Sequence, residues 1–172
     1  MSQVNWQYLD EFTDREDIIA SYLKGKTEGK IIVDLNCLKA PLLKKLEPDF
    51  HRYLGNDILP IDQHHSKAVF YQITDEEMAR MVKRCDILVV MGYGGYEKTG
   101  EEAESKTLSE SIERIVYNCL PDIVIIEGIK EFEELFSNGF VGYTKTRRYE
   151  IEIKPERVYQ RVIYIFERLW QK

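Results

Sequence analysis

Two carboxylates of this chain accompany short apolar runs, at places where a ligand could reach them. Asp34 lies in the run at 30–35, and Asp57 directly follows the run at 52–56. A carboxylate at the carboxyl end of a parallel strand can accept hydrogen bonds from two vicinal hydroxyls or from an amino group. The two residues therefore predict a site for a ribose or an amine. The alternative for Asp57 is a turn residue whose side chain accepts bonds from nearby backbone N–H groups.

A segment rich in glycine and tyrosine follows the most hydrophobic run, residues 87–91. It contains Gly92, Tyr93, Gly94 and Tyr96. The glycines permit many backbone conformations, and the rings can stack on a planar or cationic ligand. A simple turn at the rim of a site is an equally open interpretation.

Other catalytic chemistries find little support in the residue pattern. His64 and His65 are adjacent, so on an extended segment they point in opposite directions and cannot easily share a metal ion. Cys37, Cys85 and Cys119 fit no zinc or redox spacing, which predicts reduced and buried thiols. The sequence has no Gly-x-Ser-x-Gly elbow and no Gly-x-Gly-x-x-Gly turn, which disfavours a hydrolase and a nicotinamide-dependent oxidoreductase. We therefore predict no metal site.

Length and composition are typical of one globular domain. The 172 residues are 44% apolar and include 24 basic and 30 acidic side chains, a net charge of −6. This predicts a single domain over residues 1–172 that begins with a helical segment over 1–29. The acidic balance disfavours nucleic-acid binding, because that affinity comes largely from cations that neutralise phosphates. No apolar run is long enough to span a membrane, so we expect a cytoplasmic protein.

The apolar runs alternate with helical patterns along the chain. Residues 13–16 and 74–77 both have the Thr-x-x-Glu pattern of a capping box, which begins a helix. The last two apolar runs are joined by only a few residues, which predicts antiparallel neighbours. The predicted fold class is α/β, with a doubly wound, mostly parallel seven-stranded sheet and an antiparallel C-terminal edge hairpin. Ligands of such sheets bind beyond the carboxyl ends of the strands. The predicted strands lie near 30–35, 52–56, 68–72, 87–91, 123–126, 140–153 and 158–167.

From about Lys30 onward, this layout resembles the class I S-adenosylmethionine-dependent methyltransferases, a Rossmann-like superfamily. Residues 33–43 align with the first motif of that family, an acidic residue followed by Gly-x-Gly-x-Gly. Residues 53–58 resemble the second motif, whose acidic residue holds the ribose hydroxyls. The resemblance implies S-adenosylmethionine as the cofactor and a small-molecule methyl acceptor. It implies cofactor contacts for Asp34, Asn36, Leu38, Asp57, Ile58, Gln72 and Met91, and an acceptor-side loop of Gly92, Tyr93, Gly94 and Tyr96.

The first motif departs from the family at its glycines. Asn36, Leu38 and Ala40 occupy the three glycine positions. Glycine lets the backbone turn there and approach the cofactor without a Cβ clash. A leucine at the middle position would project into the space of the ligand. We therefore expect either a displaced loop or a cofactor that is no longer bound.

Two functions stay open. The first is methyl transfer to a small acceptor, with Asp34 and Asp57 toward the cofactor and Tyr93 or Tyr96 toward the acceptor; the sequence identifies no catalytic residue. The second is a non-catalytic binding or assembly module with a closed cofactor pocket. The Asn/Asp-Pro-Pro-Tyr signature of nitrogen-directed nucleic-acid methyltransferases does not occur. Aromatic residues lie near both ends of the chain, namely Trp6, Tyr8, Phe12, Tyr164, Phe166 and Trp170. Their alternative roles are to cover a site, to form a homodimer or to pack in the core.

Overall fold

The structure, a computed structural model, describes residues 13–94, 102–151 and 160–170. Its strands are β1 (Ile31–Leu35), β2 (Arg52–Asp57), β3 (Ala68–Gln72), β4 (Ile87–Tyr93), β5 (Ile123–Ile129), β6 (Tyr143–Ile151) and β7 (Arg161–Arg168). Its helices are α1 (Thr13–Leu23), α2 (Asp75–Met81) and α3 (Glu102–Cys119), with 3-10 helices at Leu43–Lys45 and Lys130–Leu135.

The strands form one sheet in the order β3-β2-β1-β4-β5-β7-β6. The first five strands pair in parallel, and β7 pairs antiparallel with both β5 and β6. The predicted fold class is therefore confirmed. The strand order reverses at β1, which has β2 on one side and β4 on the other. A ligand crevice is expected beyond the carboxyl ends of these strands.

Apolar layers cover both faces of the sheet. On one face, α2 and α3 contribute residues such as Met78 and Ile112. On the other face, α1 and the segment before the first 3-10 helix contribute residues such as Ile19 and Leu42. Every residue of β5 is buried, as expected for a run of β-branched residues in a sheet covered on both sides. The sheet therefore holds the ends of its strands in fixed positions.

Local structure agrees with the sequence prediction at α2 and differs from it at the end of β4. At α2 the predicted capping box is present, because the Thr74 hydroxyl accepts from the Glu77 N–H and the Glu77 carboxylate accepts from Thr74 N. At α1 the Glu16 carboxylate is buried and accepts from Arg15 Nε at 2.7 Å. The chain after Pro41 forms only the short 3-10 helix Leu43–Lys45. Finally, β4 continues two residues further than predicted.

The aromatic residues near the end of the chain have different roles. Tyr164 and Phe166 are buried and stack on each other in the core, whereas Trp170 is 72% exposed. Trp6, Tyr8 and Phe12 lie outside the described residues. The three cysteines are buried free thiols, as predicted. Within the described part of the chain, no helix has the length and apolar character needed to cross a membrane.

Candidate ligand site at the carboxyl ends of the strands

The loop after β1 has a left-handed backbone at each position where the first motif would carry glycine. The φ angles are 53° at Asn36, 55° at Leu38 and 51° at Ala40. For a residue with a Cβ atom, this conformation costs roughly 1–2 kcal/mol. The loop therefore keeps a glycine-like conformation without glycine, and other interactions must hold it there.

Bonds to the ends of neighbouring elements hold this loop. Cys37 N donates to the carbonyl oxygen of Asn56 at 2.9 Å, and Leu38 N donates to Asp57 Oδ2 at 2.9 Å. With its amide oriented so that Nδ2 faces the carboxylate, Asn36 donates to the two oxygens of Asp75 at 3.1 and 3.0 Å. Hydrogen bonds to charged groups contribute about 1.5–3 kcal/mol each. They are thus strong enough to offset the conformational strain.

The Asp57 carboxylate accepts hydrogen bonds from backbone N–H groups of two loops, those after β1 and β2. Its Oδ1 accepts from Leu59 N at 2.9 Å, and its other oxygen is the acceptor for Leu38 N. The residue is only 3% exposed. Burial raises the pKa of Asp57, and bonds from backbone N–H groups partly oppose the rise. Asp57 thus does what the turn interpretation predicted; its contact with a ribose stays a prediction.

A second carboxylate, Asp75, lies at the start of α2 beside this loop. It accepts from Asn56 Nδ2 at 2.9 Å as well as from Asn36. Burial raises its pKa to about 6, against the lowering effect of the two amide groups. Asn56 Oδ1 is buried and accepts no hydrogen bond among the described residues. Asn56 Oδ1, at the end of β2, can therefore still accept a hydrogen bond.

Asp34 provides a third carboxylate, inside β1. Its Oδ2 accepts from the Tyr53 hydroxyl, while Oδ1 is buried and has no hydrogen-bond partner within the described part of the chain. Burial raises the pKa of Asp34 to about 7; Tyr53 and the positive charge of Arg15 act against the rise, and Glu16 adds to it. Near neutral pH, Asp34 is therefore divided between its neutral and ionised forms.

A buried charge network lies beside Asp34, between α1 and the sheet. The Glu127 carboxylate accepts from Arg15 Nη1 at 3.0 Å, from Arg161 Nη1 at 2.8 Å and from Gly92 N at 2.7 Å. Burial works against the ionised form, but the two arginines and the backbone N–H outweigh it and lower the pKa of Glu127. Glu16 Oε2 is buried with no hydrogen-bond partner among residues 13–94, 102–151 and 160–170.

Three of the four residues predicted for the acceptor-side loop lie at or directly after the end of β4. Gly92 and Gly94 have φ angles of 74° and 90°. Tyr93 is buried, its ring packs 5.0 Å from that of Phe136, and its hydroxyl bonds Ser109. The tyrosine therefore faces the core side of the sheet. Tyr96 lies outside the described residues.

The other predicted cofactor contacts are divided between two places. Ile58 is 50% exposed, and its carbonyl oxygen accepts from Gln72 Nε2 at 3.2 Å. These two residues lie beside the Asp57 turn at the ends of β2 and β3. Met91 is buried in the apolar layer under α1, two positions from the end of β4.

Comparison with solved structures places this architecture among known proteins. The N-methyltransferase NodS from Bradyrhizobium japonicum WM9, solved with S-adenosyl-L-homocysteine, superposes with a TM-score of 0.70 at 12% identity, over 94% of this chain and 88% of that chain. The chain has the class I methyltransferase fold. Two further examples of this fold are magnesium protoporphyrin IX methyltransferase from Synechocystis PCC 6803 with bound S-adenosylmethionine (TM-score 0.67, 14% identity, 98% of this chain and 86% of that chain) and an rRNA methylase from Streptococcus thermophilus (TM-score 0.62, 11% identity, 89% and 95%). No protein-family model and no curated protein matches the chain.

Within this methyltransferase fold, Arg15 of α1 and Glu127 of β5 lie beside the predicted site residues, although no sequence pattern predicted them. Arg15 and Glu127 are 112 positions apart, so no local pattern connects them. One signal was available, since Glu127 interrupts an otherwise apolar buried strand. Paired carboxylates can suit a metal ion, but the described residues contain no group of three or more candidate metal ligands.

Proposed function

We propose that this protein binds S-adenosylmethionine at the carboxyl ends of β1 and β2 and transfers its methyl group to a small acceptor. The loop conformation carries this proposal. Three non-glycine residues, Asn36, Leu38 and Ala40, have positive φ in a span of five positions. Backbone strain of this kind persists where the surrounding structure enforces it, and it concentrates at functional sites.

The donors and acceptors of the site fit the cofactor. S-adenosylmethionine carries an ammonium group, two ribose hydroxyls and an adenine amino group, all of which donate hydrogen bonds. The site offers acceptors that are buried and unused among the described residues, namely Asp34 Oδ1, Asn56 Oδ1 and Glu16 Oε2. When bound, the cofactor supplies a methyl group already activated by its sulfonium. The protein's part is then to position the acceptor and exclude water.

A charge argument supports the same ligand. Asp34, Asp57 and Asp75 are all buried at this end of the sheet, and burial raises the pKa of each of them. A cationic ligand stabilises the ionised forms of these carboxylates. We therefore expect S-adenosylmethionine, whose sulfonium adds a positive charge, to bind more tightly than its thioether product S-adenosylhomocysteine.

A second function, a binding module with a closed pocket, is favoured by one observation. Both oxygens of Asp57 already accept backbone N–H groups, one of them from Leu38. A ribose would have to share or displace these bonds. If the Leu38 side chain also fills the ligand space, the fold persists without cofactor binding.

Calorimetric titration of four proteins separates the two functions. The wild type, Asp57→Asn, Leu38→Gly and the exposed loop control Lys39→Ala are each titrated with S-adenosylmethionine and S-adenosylhomocysteine. We expect the wild type and Lys39→Ala to bind, and Asp57→Asn to lose about tenfold in affinity, because an amide cannot accept both backbone bonds. Binding by Leu38→Gly alone would establish the closed-pocket function. No binding by any of the four would refute a cofactor site.

A further inference from the structure

The buried Glu127 carboxylate joins three separate elements of the chain. It accepts from Arg15 of α1 at 3.0 Å, from Arg161 of β7 at 2.8 Å and from the backbone of Gly92 in β4 at 2.7 Å. In the sheet, β5 separates β4 from β7, so these two strands do not pair with each other. The third element, α1, is a helix outside the sheet. A single side chain of β5 therefore accepts hydrogen bonds from all three elements.

Stability alone is a poor explanation for this arrangement. Taking charges out of water costs free energy that their attraction often does not recover, and apolar residues of similar volume usually serve as well. Glu127 follows Ile123 and Ile125 on the face of β5 that α1 covers. An apolar residue there would extend an existing apolar layer. A specific positioning role accounts better for the carboxylate.

Glu127 binds the backbone of β4 near its carboxyl end, at Gly92. Gly92 has a φ angle of 74°, and an added Cβ atom would meet nothing within 4 Å. The space beside the Gly92 backbone where a side chain would lie is therefore open. The register of β4 with β5 also shifts between Val90 and Tyr93. The bond from Gly92 N to Glu127 thus holds the backbone where regular pairing is interrupted.

The same carboxylate reaches the cofactor side of the site through α1. Arg15 is bonded to Glu127 and also to Glu16, and its positive charge acts on Asp34. We infer that Glu127 is a positioning residue that couples α1, beside the carboxylates proposed for the cofactor, to the backbone of β4 at Gly92, on the proposed acceptor side. This inference rests on the proposed function for its meaning, but the coupling itself is a property of the unliganded chain.

Hydrogen–deuterium exchange of the full chain, without ligand, tests the coupling. Glu127→Gln keeps the shape of the side chain and removes its charge. We expect amide exchange to accelerate about tenfold both at Gly92 and in α1, since hydrogen bonds to a charged acceptor are lost in both places. Glu127→Asp restores the charge and should return the exchange of α1 toward the wild-type rate, a rescue that a role in packing alone would not give.

Asp122 offers a matched control at the opposite end of β5. Its carboxylate is also held by two cations, Lys30 at 2.9 Å and Arg168, although the Asp122 side chain is 40% exposed. Asp122→Asn therefore also removes two ion pairs of one carboxylate. Because that variant loses stability in the chain as a whole, we expect it to accelerate exchange at Gly92 and in α1 less than Glu127→Gln does. Equal acceleration in Asp122→Asn, or no acceleration in Glu127→Gln, would overturn the inference.

A further variant covers the case in which Glu127→Gln does not fold. Arg15→Lys keeps the positive charge but loses the forked geometry of the guanidinium, and it should accelerate exchange in α1 and at Gly92 together. Acceleration in α1 alone would contradict the coupling. Calorimetry with S-adenosylmethionine on the same proteins gives the link to function. Failure of the wild type to bind S-adenosylmethionine would refute the proposed function. The exchange experiment is done without ligand and tests only the coupling through Glu127.

Discussion

Replacing Asp34 by asparagine should change the pH dependence of stability in a defined direction. The carboxyl group is buried, and its pKa is about 7 in the folded chain against an ordinary value of 3.8. The folded state therefore retains a proton that the unfolded chain has already released between about pH 4 and pH 7. The free energy of unfolding of the wild type should fall as the pH rises through this window.

The size of the effect follows from the difference in pKa. One pKa unit corresponds to 1.36 kcal/mol, so the rise in the pKa of Asp34 from 3.8 to about 7 amounts to about 4 kcal/mol once the pH exceeds both values. Asparagine resembles the neutral acid in shape and can still accept from Tyr53. Asp34→Asn should therefore match the wild type near pH 4 and exceed its stability by up to about 4 kcal/mol at pH 8.

Urea unfolding of both proteins at several pH values between 4 and 8 measures this difference. Asp122→Asn is the control of opposite sign. Burial disfavours the ionised form of Asp122, but Lys30 and Arg168 outweigh it and lower its pKa, so this variant should lose stability above pH 4. A difference in stability between Asp34→Asn and the wild type that stays constant from pH 5 to pH 8 would contradict a raised pKa of Asp34 in the folded chain. So would a variant that is less stable than the wild type at pH 8.

Three further substitutions test local packing and capping by chemical denaturation. Gly55→Ala would place a Cβ atom 2.8 Å from Cys37 Sγ and should destabilise the chain by about 1–3 kcal/mol; combining it with Cys37→Ala should recover part of this loss, and no recovery would contradict the clash. Tyr93→Phe removes the bond to Ser109 and should cost about 1 kcal/mol, whereas a change confined to acceptor KM would place the tyrosine in the site instead. Thr74→Ala removes the capping box of α2 and should cost about 1 kcal/mol; an unchanged midpoint would show that the cap is not needed.

The parts of the fold that the sequence predicts are those with strong local signals. The run at β4 is apolar enough to predict a strand buried on both faces, and β4 lies in the middle of the sheet. The Thr-x-x-Glu pattern at Thr74 begins a helix because both partners lie within one turn. The identical pattern at Thr13 lies at the start of α1, where the Glu16 carboxylate accepts from Arg15.

The candidate site depends on interactions that no local pattern contains. Local preference disfavours a left-handed backbone for Leu38 and Ala40, yet both adopt it, because bonds to β2 and α2 decide the conformation of the loop. Glu127 and Arg15 meet only after α1 has folded across the sheet. Sequence analysis located the carboxylates at the ends of the strands, but the three-dimensional fold determines which of them hold the loop.

The left-handed loop after β1 also affects how proteins of this kind can be detected. Its shape is encoded outside the loop, by the carboxylates at the end of β2 and the start of α2 that bind its backbone and Asn36. A sequence search that weights glycine at the first motif gives such a chain a low score even when the backbone conformation is retained. A pattern that pairs Asp57 and Asp75 with any polar residue at position 36 would instead detect further chains with this loop.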